Sequence, residues 1–411
     1  LGASEGRLGD PAWMVASCNQ FLSSDEFGAR LEAFEANLGR HGGNGERRGN
    51  GHEGHGESGG GAWLALGDAG SADAELEAAW ALGRGLEVVL AEAPEPARFL
   101  ALAAGEAGRT LALSLSYFAN DEDALGGPKY RLLLEGAKAA DRRGLRAIWT
   151  PERHFHAFGG LYPSPAVIGA ALAAATERVL LCAGSVVSPL HDPIKIAEEW
   201  SVVDNLSGGR VGVSFASGWN ADDFVFAPAQ YARRKEAMLE GLRTVRALWR
   251  GEPVRRTNGA GAEIEVRIRP RPVQAELPVW LTAAGSPETF RLAGELGAGV
   301  LTNLMGQRLG ELGDKIALYR EAFRRAGRGP GRGHVTLMLH ALLGDDDAGA
   351  RRAARGPLAR YFRSSIDILR GFAASQGLDL RAGALSPGDV DALIEHGVGR
   401  YLDEGGLFGT P

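Results

Sequence analysis

Val179–Asp223, VLLCAGSVVSPLHDPIKIAEEWSVVDNLSGGRVGVSFASGWNADD, decides how the rest of the chain is read. It contains two mostly apolar runs, Val179–Ser188 and Arg210–Ala216, separated by a helical stretch, Pro193–Leu206. Near-continuous apolar strands suit a parallel sheet covered on both faces, and a connection of this length suits a crossover helix. Ser207-Gly208-Gly209 reads as the helix stop. Small and polar residues gather where each strand ends: Ser185 and Ser188 on the first, Ser217-Gly218-Trp219-Asn220 on the second. In βα folds, ligands bind at the carboxyl ends of strands.

Working outward, the same alternation repeats. Expected strands are Leu111–Phe118, Arg146–Thr150, Pro278–Ala284, Gly299–Leu304 and His334–Gly344. Expected helices are Tyr130–Arg143, Ser164–Thr176, Arg233–Trp249, one from Ser286 and Leu309–Ala326, with a hairpin-like excursion at Val254–Pro272. Seven or eight such units favour an α/β fold of the (β/α)8 TIM-barrel type over an open sheet. Residues 345–411 depart from the repeat with a helical insertion, Ala348–Phe372 and Ser386–Tyr401, and the expectation is that the last βα unit is missing. Upstream, 1–38 carries no chemistry that the sequence assigns. Residues 39–61 read as a Gly-rich flexible linker, and 62–108 as a short α/β element, an upstream domain remnant or a docking element. The barrel is assigned to 109–411. The chain opens on Leu1, which suggests a piece of a longer polypeptide.

Composition narrows the function classes. The 411 residues are 45% hydrophobic, enough for a sizeable core, and the net charge of −6 comes without a long basic run, which argues against nucleic acid. Two distant cysteines, Cys18 and Cys182, give no disulfide framework, and no run of about 18 apolar residues offers a membrane span, so the cytoplasm is the expected compartment. His41, His52 and His55 lie in the glycine-rich tract without a scaffold or cysteine partners, so a solvated linker is read there and no metal is assigned.

The run HDPIKIAEEWSVVDNLSGGRVGVSFASGW, with Trp149-Thr150-Pro151-Glu152-Arg153-His154-Phe155 upstream, resembles bacterial-luciferase-like flavin monooxygenases. WTPERHFHAFGGLYPSP, VSPLHDPIKIAEEW, YFRSSIDIL and LFGTP are most similar to the mupirocin-type domains of polyketide and nonribosomal-peptide assembly lines. That resemblance implies reduced FMN supplied by a separate reductase, O2 as co-substrate, a carrier-tethered substrate and neighbouring assembly-line domains, with a homodimer left open. A deazaflavin-dependent reductase of the same superfamily and a non-catalytic flavin-binding or docking domain are the alternatives.

By resemblance, Glu152, Arg153 and His154 are the catalytic candidates. The family places a histidine where this chain has Arg153, so His154 or His156 acts instead, or Arg153 binds an anion. A histidine near neutral pKa suits proton transfer, and a structural polar cluster is the alternative. The expected cofactor residues are Tyr117, Gly184, Ser185, Ser217, Gly218, Trp219, Gly285, Ser286 and Thr289. Small residues at Gly184-Ser185 admit a flat ring close to the backbone, and the family's non-prolyl cis peptide matches this bond; a tightly packed barrel interior is the alternative. Ser286-Pro287-Glu288-Thr289 opens a helix with free N–H groups, a phosphate cradle or an ordinary cap. The resemblance assigns it the FMN phosphate. Asn220, Asn303 and Met305 complete the pocket candidates.

Overall fold

The structure is a computed structural model that describes residues 112, 114–118, 129–327, 333–343, 346–375 and 387–409. The elements expected over residues 1–108 lie outside the described residues. Seven strands make one parallel sheet: β1 (Leu115–Ser116), β2 (Ala147–Thr150), β3 (Leu180–Val187), β4 (Val211–Ala216), β7 (Val279–Ala283), β8 (Gly299–Asn303) and β9 (Val335–Met338). Their spatial order is their chain order, with no switch point, which excludes a doubly wound sheet. The edge strands also approach each other, with Ser116 Oγ 3.8 Å from Met338 Sδ. This is the curled, nearly closed sheet of a TIM-type barrel.

Helices α1 (Arg131–Arg142), α2 (Pro165–Ala175), α3 (Pro193–Ser207), α4 (Arg234–Arg250), α5 (Pro287–Glu295) and α6 (Leu309–Arg325) alternate with the strands. The main core lies between strands and helices, where Val213, Phe215, Leu242, Trp249 and Leu281 are fully buried. The barrel interior is filled by a smaller group, Trp149, Cys182, Trp280 and Leu301. Trp149 and Trp280 meet edge to face, their centroids 5.1 Å apart. Gly212 makes room for this pair, since a Cβ there would lie 2.7 Å from the Trp280 ring.

The central stretch folds as its composition dictates. Asp192 caps α3 by accepting the Ile194 N–H at 2.7 Å, Pro193 fills the first helical position, and Gly208 ends the helix at φ 69°. The excursion after α4 is an antiparallel hairpin of β5 (Val254–Thr257) and β6 (Glu263–Val266), its turn held by Asn258 Oδ1 accepting from the N–H groups of Ala260 and Ala262.

The helical insertion is a pair, α7 (Asp347–Ser375) and α8 (Pro387–Glu404), with a core of its own around Leu342, Leu358, Val398 and Phe408. One expectation needs amendment at the end of the chain. The segment read as one strand over His334–Gly344 breaks at Leu339-His340 and resumes as β10 (Ala341–Leu343), and β11 (Leu407–Gly409) pairs parallel to it. β10 and β11 form a two-stranded sheet of their own, and the barrel sheet holds seven strands among the described residues. Among the described residues, no helix is long and apolar enough to cross a membrane.

Candidate active site at the carboxyl ends of the strands

A cavity of about 340 Å3 opens at the carboxyl ends of the barrel strands. Ser116 and Phe118 enter it from β1, Arg153 and Phe158 from beyond β2, Gly184 from β3 and Trp219 from beyond β4. Ala284, Asn303, Met305 and the run Met338–His340 complete the ring, and Tyr361, Ser365 and Tyr401 cover it from α7 and α8. Phe118, Phe158 and Tyr361 form an aromatic wall, with centroids 4.6 Å and 5.0 Å apart in succession.

Arg153 is the charged group of this wall. The residue is 9% exposed, its guanidinium sits 5.0 Å from the Trp219 ring and 5.7 Å from the Phe118 ring, and its Nε has no hydrogen-bond partner. Burial pushes the guanidinium below its usual range and is offset in part by the nearby charge of Asp223. Burial in turn raises Asp223 despite Arg153 and a 2.9 Å hydrogen bond from Asn220. A buried cation with unused donors, facing an apolar cavity, is built to meet an anion or an oxygen that gains charge.

The alternation of side chains past β2 separates the three catalytic candidates. Arg153 follows Trp149 towards the barrel axis, whereas Glu152 and His154 turn away and do not line the cavity. Glu152 instead anchors a buried cluster: its Oε1 pairs with His154 Nε2 at 2.9 Å and with His191 Nε2 at 2.5 Å, and its Oε2 accepts the Val187 N–H at 2.6 Å. Burial alone would raise this carboxyl, but the hydrogen bonds from His154 and His191 outweigh it and hold it below the ordinary range. For His191, burial is likewise outweighed by the Glu152 hydrogen bond and charge, and its pKa is raised. His156 is placed locally, its Nδ1 accepting the Phe158 N–H at 3.0 Å.

This pairing has a signed pH dependence. His191, raised when folded, contributes stability that is fully present below its ordinary 6.5 and is lost as pH rises through the higher folded value. Glu152, lowered from 4.5, contributes stability present above that value and lost as pH falls through the folded one. Thermal unfolding from about pH 6 to about pH 8.5 is therefore expected to show a decline in Tm that His191→Gln abolishes. Parallel profiles for the two proteins would assign the pairing no role in stability.

The expected cofactor residues divide in the same way. Gly184 forms part of the cavity floor, and the Gly184–Ser185 bond is cis. Ser185 is not open to the cavity: its hydroxyl pairs with Thr282 Oγ1, which also bonds Ser214 Oγ at 2.7 Å, a hydroxyl ladder across β3, β7 and β4. Tyr117 points into the core between sheet and helices, 1% exposed, because it is its neighbours Ser116 and Phe118 that share the inward face. Trp219 lines the cavity, while Gly218 (φ 74°) packs beneath it, where a Cβ would lie 2.8 Å from Val187. Asn220 serves Asp223 and the following turn instead of the cavity.

Gly285, Ser286 and Thr289 follow the cavity residue Ala284 in sequence and do not themselves line the cavity. Gly285 has φ 149°, and Ser286 caps α5 with its backbone alone, so its hydroxyl is unused in the cap. Lys315 reaches this point: its Nζ would be 3.7 Å from a Gly285 Cβ, and it donates to Gln307 Oε1 at 2.8 Å. Gln307 is tied back to Thr302 Oγ1 and Asn303 O. An open helix N-terminus, a free hydroxyl and a lysine suit a phosphate, and Ala284 connects them directly to the cavity. A phosphate-bearing planar cofactor would find donors for its phosphate at the start of α5 and room for its ring at Gly184.

The sequence reading missed His191, Asp223, His340, Tyr361 and Lys315. His191 and Asp223 lie within the stretch that opens the reading, and periodicity past β2 would have turned Glu152 and His154 towards the same side.

Residues 111–384 match the family model described as luciferase-like monooxygenase. The chain belongs to that family. It is 32% identical over 186 residues to 4-hydroxyprotoasukamycin monooxygenase of Streptomyces nodosus subsp. asukaensis, covering 45% of this chain and 50% of that one. It is 28% identical over 254 residues to the oxygenase component of a flavin-dependent trigonelline monooxygenase of Acinetobacter baylyi, covering 60% and 69%. An F420-dependent hydroxymycolic acid dehydrogenase of Mycobacterium tuberculosis is 25% identical, covering 57% and 64%. Among solved structures, a monooxygenase from Streptomyces bottropensis matches with a TM-score of 0.53 at 27% identity, covering 69% of this chain and 85% of that one. The chain spans about half the length of several curated relatives that it matches, the Streptomyces nodosus protein among them.

Proposed function

We propose that this protein is an FMN-dependent monooxygenase that places one atom of O2 into a carrier-tethered polyketide or peptide intermediate. The observation that carries the oxygenase reading is the convergence on one apolar cavity of a buried cation, a glycine floor and an open helix N-terminus. When bound, reduced FMN supplies the activation of O2. The chain's own residues then have separable tasks. The α5 start and Lys315 hold the phosphate, and Gly184 admits the ring. Phe118, Phe158, Met305 and Tyr361 exclude water, and Arg153 meets developing negative charge. Glu152, with His154 and His191, fixes the β2 and β3 ends from behind. The relative that is an oxygenase component supports a separate reductase as the source of reduced flavin. The resemblance to assembly-line domains supports the carrier-bound substrate.

The test is incubation with FMN, a flavin reductase and candidate acyl-carrier substrates under isotopically labelled O2, read by intact mass. Label in the acyl product is expected. A product that is reduced without label would point to the hydride-transferring deazaflavin chemistry, and binding without turnover would leave a docking domain.

The cofactor placement has its own test. Ser286→Ala combined with Thr289→Ala removes hydroxyl donors to a charged phosphate and is expected to weaken FMN by roughly 1–3 kcal/mol, or about fivefold to a hundredfold. Fluorescence titration with FMN measures it. An unchanged Kd would move the phosphate elsewhere.

A further inference from the structure

The cavity holds a further polar group at the break between β9 and β10. His340 lines the cavity and is 6% exposed. The last segment of the described chain holds it from three directions. The Tyr401 hydroxyl lies 2.9 Å from His340 Nδ1, the same oxygen accepts the His340 backbone N–H at 3.3 Å, and Leu407 N–H donates to the His340 carbonyl at 2.8 Å. His340 Nε2 is buried and has no hydrogen-bond partner.

Counting donors and acceptors assigns the proton. A backbone N–H only donates, so the Tyr401 oxygen accepts there and its single proton is available for Nδ1. Nδ1 is then the acceptor, and Nε2 carries the imidazole hydrogen. The other tautomer would leave both the phenol proton and Nε2 unsatisfied. Burial agrees with a neutral ring, pushing the His340 pKa down to about 4. The outcome is one buried N–H donor without an acceptor, a costly arrangement unless a ligand completes it. Its neighbours on the wall are apolar or aromatic: Met338, Leu339, Met305 and Tyr361, whose ring centroid is 4.6 Å from the imidazole.

We propose that His340 Nε2–H is the substrate-binding donor of this cavity, and that it selects an apolar molecule presenting an uncharged carbonyl oxygen. The inference rests on reading the cavity as the substrate side of the proposed oxygenase site. A thioester-linked acyl chain has this character, and so does a free ketone.

The experiment uses two matched probes, 2-acetylnaphthalene and 2-ethylnaphthalene, titrated into the flavin-free protein by calorimetry. Wild type is expected to bind the ketone roughly threefold to tenfold more tightly than the hydrocarbon, the worth of one neutral hydrogen bond. His340→Phe, a ring without a donor, is expected to bind both alike, with hydrocarbon affinity held within about twofold. His340→Gln restores a donor and should recover part of the preference, which a merely structural role for His340 would not predict. A wild type without preference, or a His340→Phe variant that keeps it, overturns the proposal. FMN titration of the same proteins separates the two readings. Wild type that fails to bind FMN removes the oxygenase reading, whereas the ketone preference stands or falls without flavin.

Discussion

Arg153→Met is expected to lower turnover by about a hundredfold to a thousandfold, the usual loss when a preorganised donor to a charge-gaining oxygen is removed. The residue is nine-tenths buried, its guanidinium lies between Trp219 and Phe118, and its Nε has no hydrogen-bond partner. Methionine fills a similar volume without charge, so the wall stays closed while the field is lost. Arg153→Lys should fall between, since an ammonium keeps the charge but not the planar fork. The measurement is single-turnover product formation with reductase-supplied FMN, beside an FMN titration. A methionine variant within about threefold of wild type would reduce Arg153 to a packing role. A rise in KM for carrier-bound substrate alone, with kcat intact, would assign it to the carrier's phosphate instead.

The second large effect is on stability and lies in the family run VVDNLSGGR. Asp204, fully buried on α3, accepts hydrogen bonds from Val273 N–H at 2.6 Å, Gln274 N–H at 3.0 Å and Gln274 Nε2 at 2.8 Å. Gln274 also accepts Trp249 Nε1–H at its carbonyl, so one carboxylate positions the segment that leads from the hairpin into β7. Asp204→Ala is expected to cost about 3–5 kcal/mol, because charge-assisted bonds are lost and their donors are stranded. At about 2–4 °C per kcal/mol for a domain of this size, Tm falls by roughly 6–20 °C. Asp204→Asn, which keeps one acceptor, should lose about half as much. Differential scanning calorimetry decides it, and a Tm within about 2 °C of wild type would refute the clamp.

Much of the barrel was legible because its strands are buried on both faces and its central helix, α3, carries a proline start and a glycine stop. The apolar runs, Gly208 and the Asp192-Pro193 start gave boundaries within a residue or two of those observed. The break at Leu339-His340 was not legible, because a β9–β10 interruption depends on Tyr401 and Leu407, more than sixty residues later. The site shows the same division. Gly184, Trp219, Asn303 and Met305 were found from their place at strand ends, and they line the cavity. Glu152 and His154 were grouped with Arg153 as neighbours in sequence, yet adjacent side chains on an extended segment face opposite ways. Tyr117 faces the core between sheet and helices for the same reason. His191 acts through Glu152, 39 residues earlier, and Asp223 through the charge of Arg153 across the fold as well as through nearby Asn220.

The clamp on His340 also orders events at the ribosome. A nascent chain leaves the tunnel amino end first, so the parallel sheet and its six outer helices emerge before Tyr401 does. The tyrosine that roofs the cavity, and the Leu407 N–H that pins the β9–β10 break, follow after them. Translation therefore delivers the barrel scaffold before the residues that complete the pocket. A stall or premature stop before Tyr401 releases a barrel with an unroofed apolar mouth, a species marked for chaperone capture and not for catalysis.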